Sequence, residues 1–258
     1  MPFAPVNGID LYYEVHGPAL GSAPVIVFAH GAGGNHLSWW QQVPHFRDRY
    51  TCVTFDHRSF AFSKDTARPK DWRGLPDDLR CLMDALGIER AHLVAQSMGG
   101  WSCLGVAWHW PERVNRLVMA DTHGGLQGPS IPWPPADRVT PPEGVHPACG
   151  ETMAREQPAL HFLYEQVAGM TYPPRALRDA SALMSGASAP TTEDAAKMTL
   201  PILFIAGEED IVIPPPVVEA AAAAFPNARL ARVPAAGHSV YFERAARFNE
   251  LVDSFLSE

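Results

Sequence analysis

The chain has 258 residues, 47% of them hydrophobic, enough for one large domain, or one domain carrying an inserted cap, with a full apolar core. Its formal net charge is −8 and it has no basic block, which argues against a nucleic-acid backbone or an anionic membrane surface as partner. No apolar run approaches ~20 residues, "MPFAPVNGID" lacks the features of a secretory signal, and Cys52, Cys81, Cys103 and Cys149 show no C-x-x-C spacing; the expectation is a cytoplasmic protein with free thiols and no membrane span.

Taken in chain order, "GIDLYYEVHG" alternates up to Gly17 and predicts a strand of an N-terminal hairpin. "APVIVFAH" is a continuous apolar run, the pattern of a strand buried on both faces, and it leads into the glycine-rich "HGAGG". "YTCVTFD" reads as the next strand. "DWRGLPDDLRCLMDALGI" spaces leucine and methionine as a helix does, with Gly87 as its stop. "AHLVAQ" is a strand and "MGGWSCLGVAWHW" begins a helix, so Ser97 falls on the turn between them. "VNRLVMAD" is a further strand. Residues 122–190 then break the rhythm, holding 11 of the 25 prolines and no readable strand. There, "GPSIPWPPADRVTPPEGVHP" excludes regular structure, while "CGETMAREQPALHFLYEQVAGM" and "PPRALRDASALMSGA" predict short helices. The sheet pattern resumes at Leu200 with "LPILFIAG", a helix in "VVEAAAAAFP" and a strand in "ARLARVP". The last helix, "VYFERAARFNELVDSFL", puts Phe242, Phe248, Val252 and Phe255 on one side. This alternation predicts an α/β protein with a mostly parallel central sheet flanked by helices. Residues 1–121 and 191–258 form the core domain, and 122–190 an inserted Pro-rich helical cap.

A strand-to-helix turn that presents a serine needs small neighbours two residues before and two after, so that strand and helix can approach. Here they are Ala95 and Gly99, a departure from G-x-S-x-G that alanine tolerates provided its backbone does not need a positive φ. On its own the turn reads equally as a helix N-cap serine. A serine hydroxyl is a poor nucleophile near neutral pH and needs a base, which in turn needs an orienting carboxylate. "HGAGG" lacks the lysine and the spacing of a phosphate cradle, and the scattered histidines and cysteines have no ligand spacing; no metal or organic cofactor is expected.

"FAHGAGGNHLSWW", "FDHRSFAFSKD", "AQSMGG", "LFIAGEEDIVIPP" and "PAAGHSVYFE" follow one another, each at the end of a predicted strand. In this the chain resembles the α/β-hydrolase fold family over nearly its whole length, in its small esterase, enol-lactonase and perhydrolase-like branch. The resemblance implies Ser97 as nucleophile, His238 as base and Asp210 as the orienting acid, with Asp121 as an alternative acid. It implies an oxyanion hole from the backbone N–H groups of Met98 and Ala32. Ser59 and Ala61 stand where relatives often carry glycine, so the loop should be stiffer, with Phe60 and Phe62 filling the core or reaching the site. A substrate pocket is expected from Gly31, Trp39, His123, Trp133, Phe162 and Tyr164, with Met170 and Tyr172 adding apolar surface. The function implied is a cofactor-free serine hydrolase cleaving a small hydrophobic or aromatic ester or lactone through an acyl-enzyme. Its partner is a small molecule, and the chain is a monomer or a homodimer. A carbon–carbon bond hydrolase acting on a β-diketone-like substrate and a triad-retaining small-molecule receptor stay open as alternatives. A serine in place of an aspartate nucleophile argues against a haloalkane dehalogenase or an epoxide hydrolase.

Overall fold

A computed structural model of the chain describes residues 2–65, 74–133, 139–170 and 189–258. β1 (Phe3–Val6) and β2 (Ile9–His16) form an antiparallel hairpin through Asn7 and Gly8, whose φ angles of 44° and 83° suit a tight two-residue turn. The other strands are β3 (Val25–Ala29), β4 (Thr51–Phe55), β5 (Ala91–Gln96), β6 (Val114–Ala120), β7 (Ile202–Gly207) and β8 (Ala228–Val233). They make one eight-stranded sheet in the order β1-β2-β4-β3-β5-β6-β7-β8, antiparallel at β1–β2–β4 and parallel from β4 to β8. Every residue of β3, β4, β5 and β7 is buried, which is why these strands read as unbroken apolar runs.

Helices cover both faces. Val27, Leu93, Leu117 and Phe204 face one apolar cluster, completed by α2 (Leu75–Ala85), α3 (Gly99–His109) and, farther along, Val217, Val218 and Ala221. Phe28, Val94, Val118 and Ile205, one residue on in each strand, face the other, with Trp39 and with Phe46 of α1 (Gln42–Phe46). α2 ends where expected, with Gly87 at φ 66°. In the inserted region the helical stretch divides into α4 (Glu151–Glu156) and α5 (Pro158–Gly169), broken at Gln157 because Pro158 disfavours a helical residue before it. α6 (Thr192–Ala195) and α7 (Pro215–Ala223) follow, and the C-terminal stretch divides at Arg244 into α8 (Val240–Glu243) and α9 (Ala245–Leu256). The helix expected over "PPRALRDASALMSGA" lies outside the described residues.

The region's two ends meet. The Gln127 N–H donates to the Pro190 carbonyl at 3.0 Å, and the Thr192 N–H to the Gln127 carbonyl at 2.8 Å, so the sheet accommodates the excursion without a gap. The loop after β4 takes left-handed backbone without glycine, with φ 66° at Ser59 and 38° at Ala61. Arg58 pins it, contacting Asp78 at 2.7 and 2.6 Å, Asp65 at 2.7 Å and the Asn7 carbonyl at 3.0 Å. Phe60 is buried with Leu75, Met98 and Trp101, against Ala32; Phe62 is 40% exposed and packs on Tyr12 and His36. No helix among the described residues is long and apolar enough to cross a membrane.

Candidate active site

Parallel strands deliver their following loops to one edge of the sheet, and the polar groups of this protein converge there. Ser97 follows β5, Asp121 follows β6, Asp210 follows β7 and His238 follows β8. Their backbones continue the ladders: the Ser97 N–H donates to the Ala120 carbonyl at 3.0 Å and the Asp121 N–H to the Ile205 carbonyl at 2.8 Å. Ser97 has φ 49°, a left-handed conformation that costs a non-glycine residue about 1–3 kcal/mol. The start of α3 is pressed against the end of β3, the strand beside β5: a Cβ on Gly99 would overlap the Ala29 carbonyl. Ala95 is an ordinary strand residue paired with Ala29, so alanine there carries no strain.

Ser97 Oγ lies 2.8 Å from His238 Nε2, and His238 Nδ1 lies 2.8 Å from Asp210 Oδ2. A carboxylate only accepts, so Nδ1 carries the proton and Nε2 turns its lone pair to the hydroxyl. The other Asp210 oxygen accepts from the Val212 and Ile213 N–H groups at 2.8 and 2.9 Å, fixing the carboxylate. Burial pulls the imidazole's pKa down, but the charge and hydrogen bond of Asp210 outweigh it and hold the ring above its ordinary 6.5. Asp121 is fully buried at φ 49°, and its two oxygens accept from the Gly207 N–H at 2.9 Å and the Val240 N–H at 3.0 Å. The alternative acid is thus a clamp between backbones, and Asp210 is the residue that meets the imidazole. Burial, with Asp210 nearby, pushes the Asp121 carboxyl well above the usual carboxylate range.

Facing Ser97 is the loop after β3. His30 Nδ1 donates to the Gly31 carbonyl at 2.7 Å and Nε2 accepts from the His57 N–H at 2.9 Å, so the ring props the loop from below. A Cβ on Gly31 would sit 3.0 Å from the Ser97 Cβ and collide with Gln96, which places the Gly31–Ala32 backbone against the serine. Met98 and Ala32 meet in the small cluster around Phe60. Neither of their N–H groups donates to a partner among the described residues.

The expected pocket residues divide. Trp39 is fully buried in the core against Phe28 and Tyr241, at ring separations of 5.1 and 4.6 Å, because its short 3₁₀ turn (His36–Trp39) lays it on the sheet; it does not line a pocket. Phe162 is 60% exposed, because α5 buries His161, Tyr164 and Val167 and position 162 falls on the opposite side. Tyr164 is buried near His238, its hydroxyl accepting from Ser239 Oγ at 3.0 Å. His123 is held between Trp101 and Trp133 at 4.9 and 5.2 Å, its pKa lowered by burial to about 4. Trp101 in turn packs on Met98. Met170 is half-exposed at the end of α5, and Tyr172 lies outside the described residues.

Three polar residues at the site have no role in the sequence reading. Gln96 Nε2 donates to the His238 carbonyl at 2.6 Å, tying the strand before Ser97 to the His238 loop. Glu209 and Glu243 accept backbone N–H groups around the Asp210 and His238 loops. The signal that could have found Gln96 is an amide closing a fully buried strand. Among the described residues no group of three His, Cys, Asp or Glu side chains could hold a metal ion.

Comparison with known proteins finds similar chains. A family model described as alpha/beta hydrolase fold matches residues 24–143, and one described as TAP-like protein matches residues 176–258. The chain is 28% identical to "Putative carbamate hydrolase RutD" of Caulobacter sp. (strain K31), over 96% of each chain. It is 25% identical to 3-oxoadipate enol-lactonase 2 of Acinetobacter baylyi, over 96% of this chain and 93% of the relative. The crystal structure of the enol-lactonase from Burkholderia xenovorans LB400 superposes with a TM-score of 0.82 at 26% identity, covering all of both chains.

Proposed function

The chain is a member of the α/β-hydrolase fold family, and from that premise we propose that it is a cofactor-free serine hydrolase of small hydrophobic or aromatic esters or lactones. The observation that carries this is the unbroken relay from the Ser97 hydroxyl through His238 to Asp210, two contacts of 2.8 Å starting from a serine held at φ 49°. In the reaction Ser97 Oγ bonds to the substrate carbonyl carbon while its proton passes to His238 Nε2. The resulting imidazolium is stabilised by Asp210, and the Ala32 and Met98 N–H groups receive the oxyanion; losing one such donor costs roughly 10²–10³ in turnover. Collapse of the tetrahedral adduct breaks the carbon–oxygen bond to the leaving group, which takes the proton from Nε2. Water then repeats the sequence on the acyl-enzyme and restores Ser97. The described residues 139–170 of the insertion act as a cap at this edge, with His123, Trp133 and Trp101 as an apolar wall. The enol-lactonases among the relatives support the lactone class, and the carbamate name adds a second acyl compound to the panel worth assaying.

The test is covalent labelling by a fluorophosphonate alongside turnover of p-nitrophenyl acetate and a panel of lactones, carbamates and β-diketones. The wild type should label and turn over esters or lactones, while Ser97→Ala should lose labelling and fall by roughly 10⁶ in turnover. Labelling with negligible acyl turnover would replace this reading with a receptor or a carbon–carbon hydrolase.

A further inference from the structure

We propose that Glu243 is a positioning residue that couples the alignment of His238 to the seating of the inserted segment. The proposal rests on the reading of His238 as the base. α8 is a single turn beginning just after His238, and it carries Glu243 back beneath the loop it came from. There the carboxylate, 3% exposed, accepts from the Gly237 N–H at 3.0 Å and from the Ser239 N–H at 3.1 Å, the two amides that flank the base. The oxygen that takes Gly237 also accepts from the Gly150 N–H at 2.9 Å, and Gly150 belongs to the inserted region, immediately before α4. Two residues on, the Thr152 N–H donates to Glu209 at 3.0 Å and the Thr152 hydroxyl donates to the same carboxylate. Glu209 precedes Asp210, and its own N–H donates to the Ala236 carbonyl at 2.7 Å. A short piece of the inserted segment, residues 150–152, is therefore bound to both the base loop and the acid loop, each time through a carboxylate.

The seat has no slack. A Cβ on Gly150 would lie 2.5 Å from Glu209 Oε2, 2.9 Å from the Gly237 nitrogen and 3.0 Å from Glu243 Oε2. Gly150 itself has φ −76° and ψ 149°, a conformation open to any residue, so alanine there acts as a wedge and not through backbone strain. A buried carboxylate that satisfies three amides would stabilise any fold. Its placement on both sides of the base and on the inserted segment adds a mechanical consequence: displacing residues 150–152 displaces the imidazole from Ser97.

Glu243→Gln keeps the shape but turns one acceptor into a donor that faces amides. Small misplacements of reacting groups cost up to ~10², so kcat for p-nitrophenyl acetate should fall roughly 10- to 100-fold with KM within about two-fold. Gly150→Ala, which touches no reacting group, should lower kcat in the same sense. In both variants the downfield proton resonance of the His238–Asp210 hydrogen bond should shift or broaden. Leu82→Ala, a core change in α2 remote from the site, supplies a destabilised control that keeps its kcat per folded molecule. The proposal is overturned if both variants keep kcat and the resonance of the wild type, or lose no more activity than the control at matched Tm. Should Glu243→Gln fail to fold, Gly150→Ala decides. The resonance needs no substrate, so a wild type without turnover would remove the hydrolase reading and leave the coupling to be judged by the spectrum.

Discussion

Position 238 holds an enclosed imidazole under two opposed influences, burial that favours the neutral ring and Asp210 that favours the charged one, and the second prevails. The sign for activity follows. A protonated ring cannot take the proton of Ser97, so kcat/KM should fall as pH drops through a pKa above 6.5, the unperturbed imidazole value. In Asp210→Asn the largest raising influence is gone while burial stays, so the acid limb should move to lower pH and turnover should fall roughly 10⁴-fold. Among the described residues the Asp121 side chain hydrogen-bonds only the Gly207 and Val240 amides, and its charge reaches His238 without contact. Asp121→Asn should keep turnover within about ten-fold and cost about 1–3 kcal/mol of stability, the price of an imperfectly paired buried group. A pH–rate profile of both variants checks this, and the opposite ranking would move the acid to the end of β6. Ser97 and Asp210 were legible because each follows closely on a fully buried strand, β5 and β7, whereas β8 before His238 is mostly exposed or half-buried and His238 stood out only by the order of the motifs. Gln96 and Glu243 were not, because they hold backbone amides and carbonyls, and the residues they hold leave no pattern of their own.

At the level of elements, the loop between β4 and α2 keeps two left-handed residues without glycine, and the strain has a measurable sign. A left-handed L-residue costs roughly 1–2 kcal/mol, partly offset in a glycine variant by the greater freedom of the unfolded chain. Ala61→Gly should therefore stabilise the protein by about 0.5–1 kcal/mol, a Tm rise of roughly 1–4 °C by calorimetry. A fall in Tm would mean that Ala61 contributes packing that outweighs the strain. The strands were readable in sequence because burial on both faces writes a continuous apolar run, as in β3 and β7. The helix breaks at Gln157 and Arg244 were harder, since the apolar spacing continues across each of them. α1, five residues with Pro44 inside, is too short to show a period at all. Phe60 and Phe62, adjacent but one apart, took opposite fates because the Ser59 and Ala61 kinks rotate one inward and leave the other at the surface.

Across the whole molecule, the α/β organisation was set by alternation along the chain, whereas the arrangement of residues 139–170 depends on long-range contacts that no local pattern encodes. Many of those contacts are polar, and the helices add little apolar burial. α4 buries only Met153, and α5 buries His161, Tyr164 and Val167 while Phe162 and Leu163 face outward. The sheet is sealed between two apolar clusters, one reaching from β1 to β7 and the other from β4 to β8. Segments with little buried apolar surface open at lower free energy than the core to which they attach. If the seat at Gly150 governs the alignment of His238, losing it should silence the enzyme while the sheet stays folded. In a urea titration, esterase activity should therefore disappear at a lower midpoint than the far-UV circular dichroism signal of the sheet. Gly150→Ala should widen the separation, since the wedge weakens the seat and leaves the strands untouched. Coincident midpoints in the wild type and the variant would place the inserted segment and the sheet in one cooperative unit.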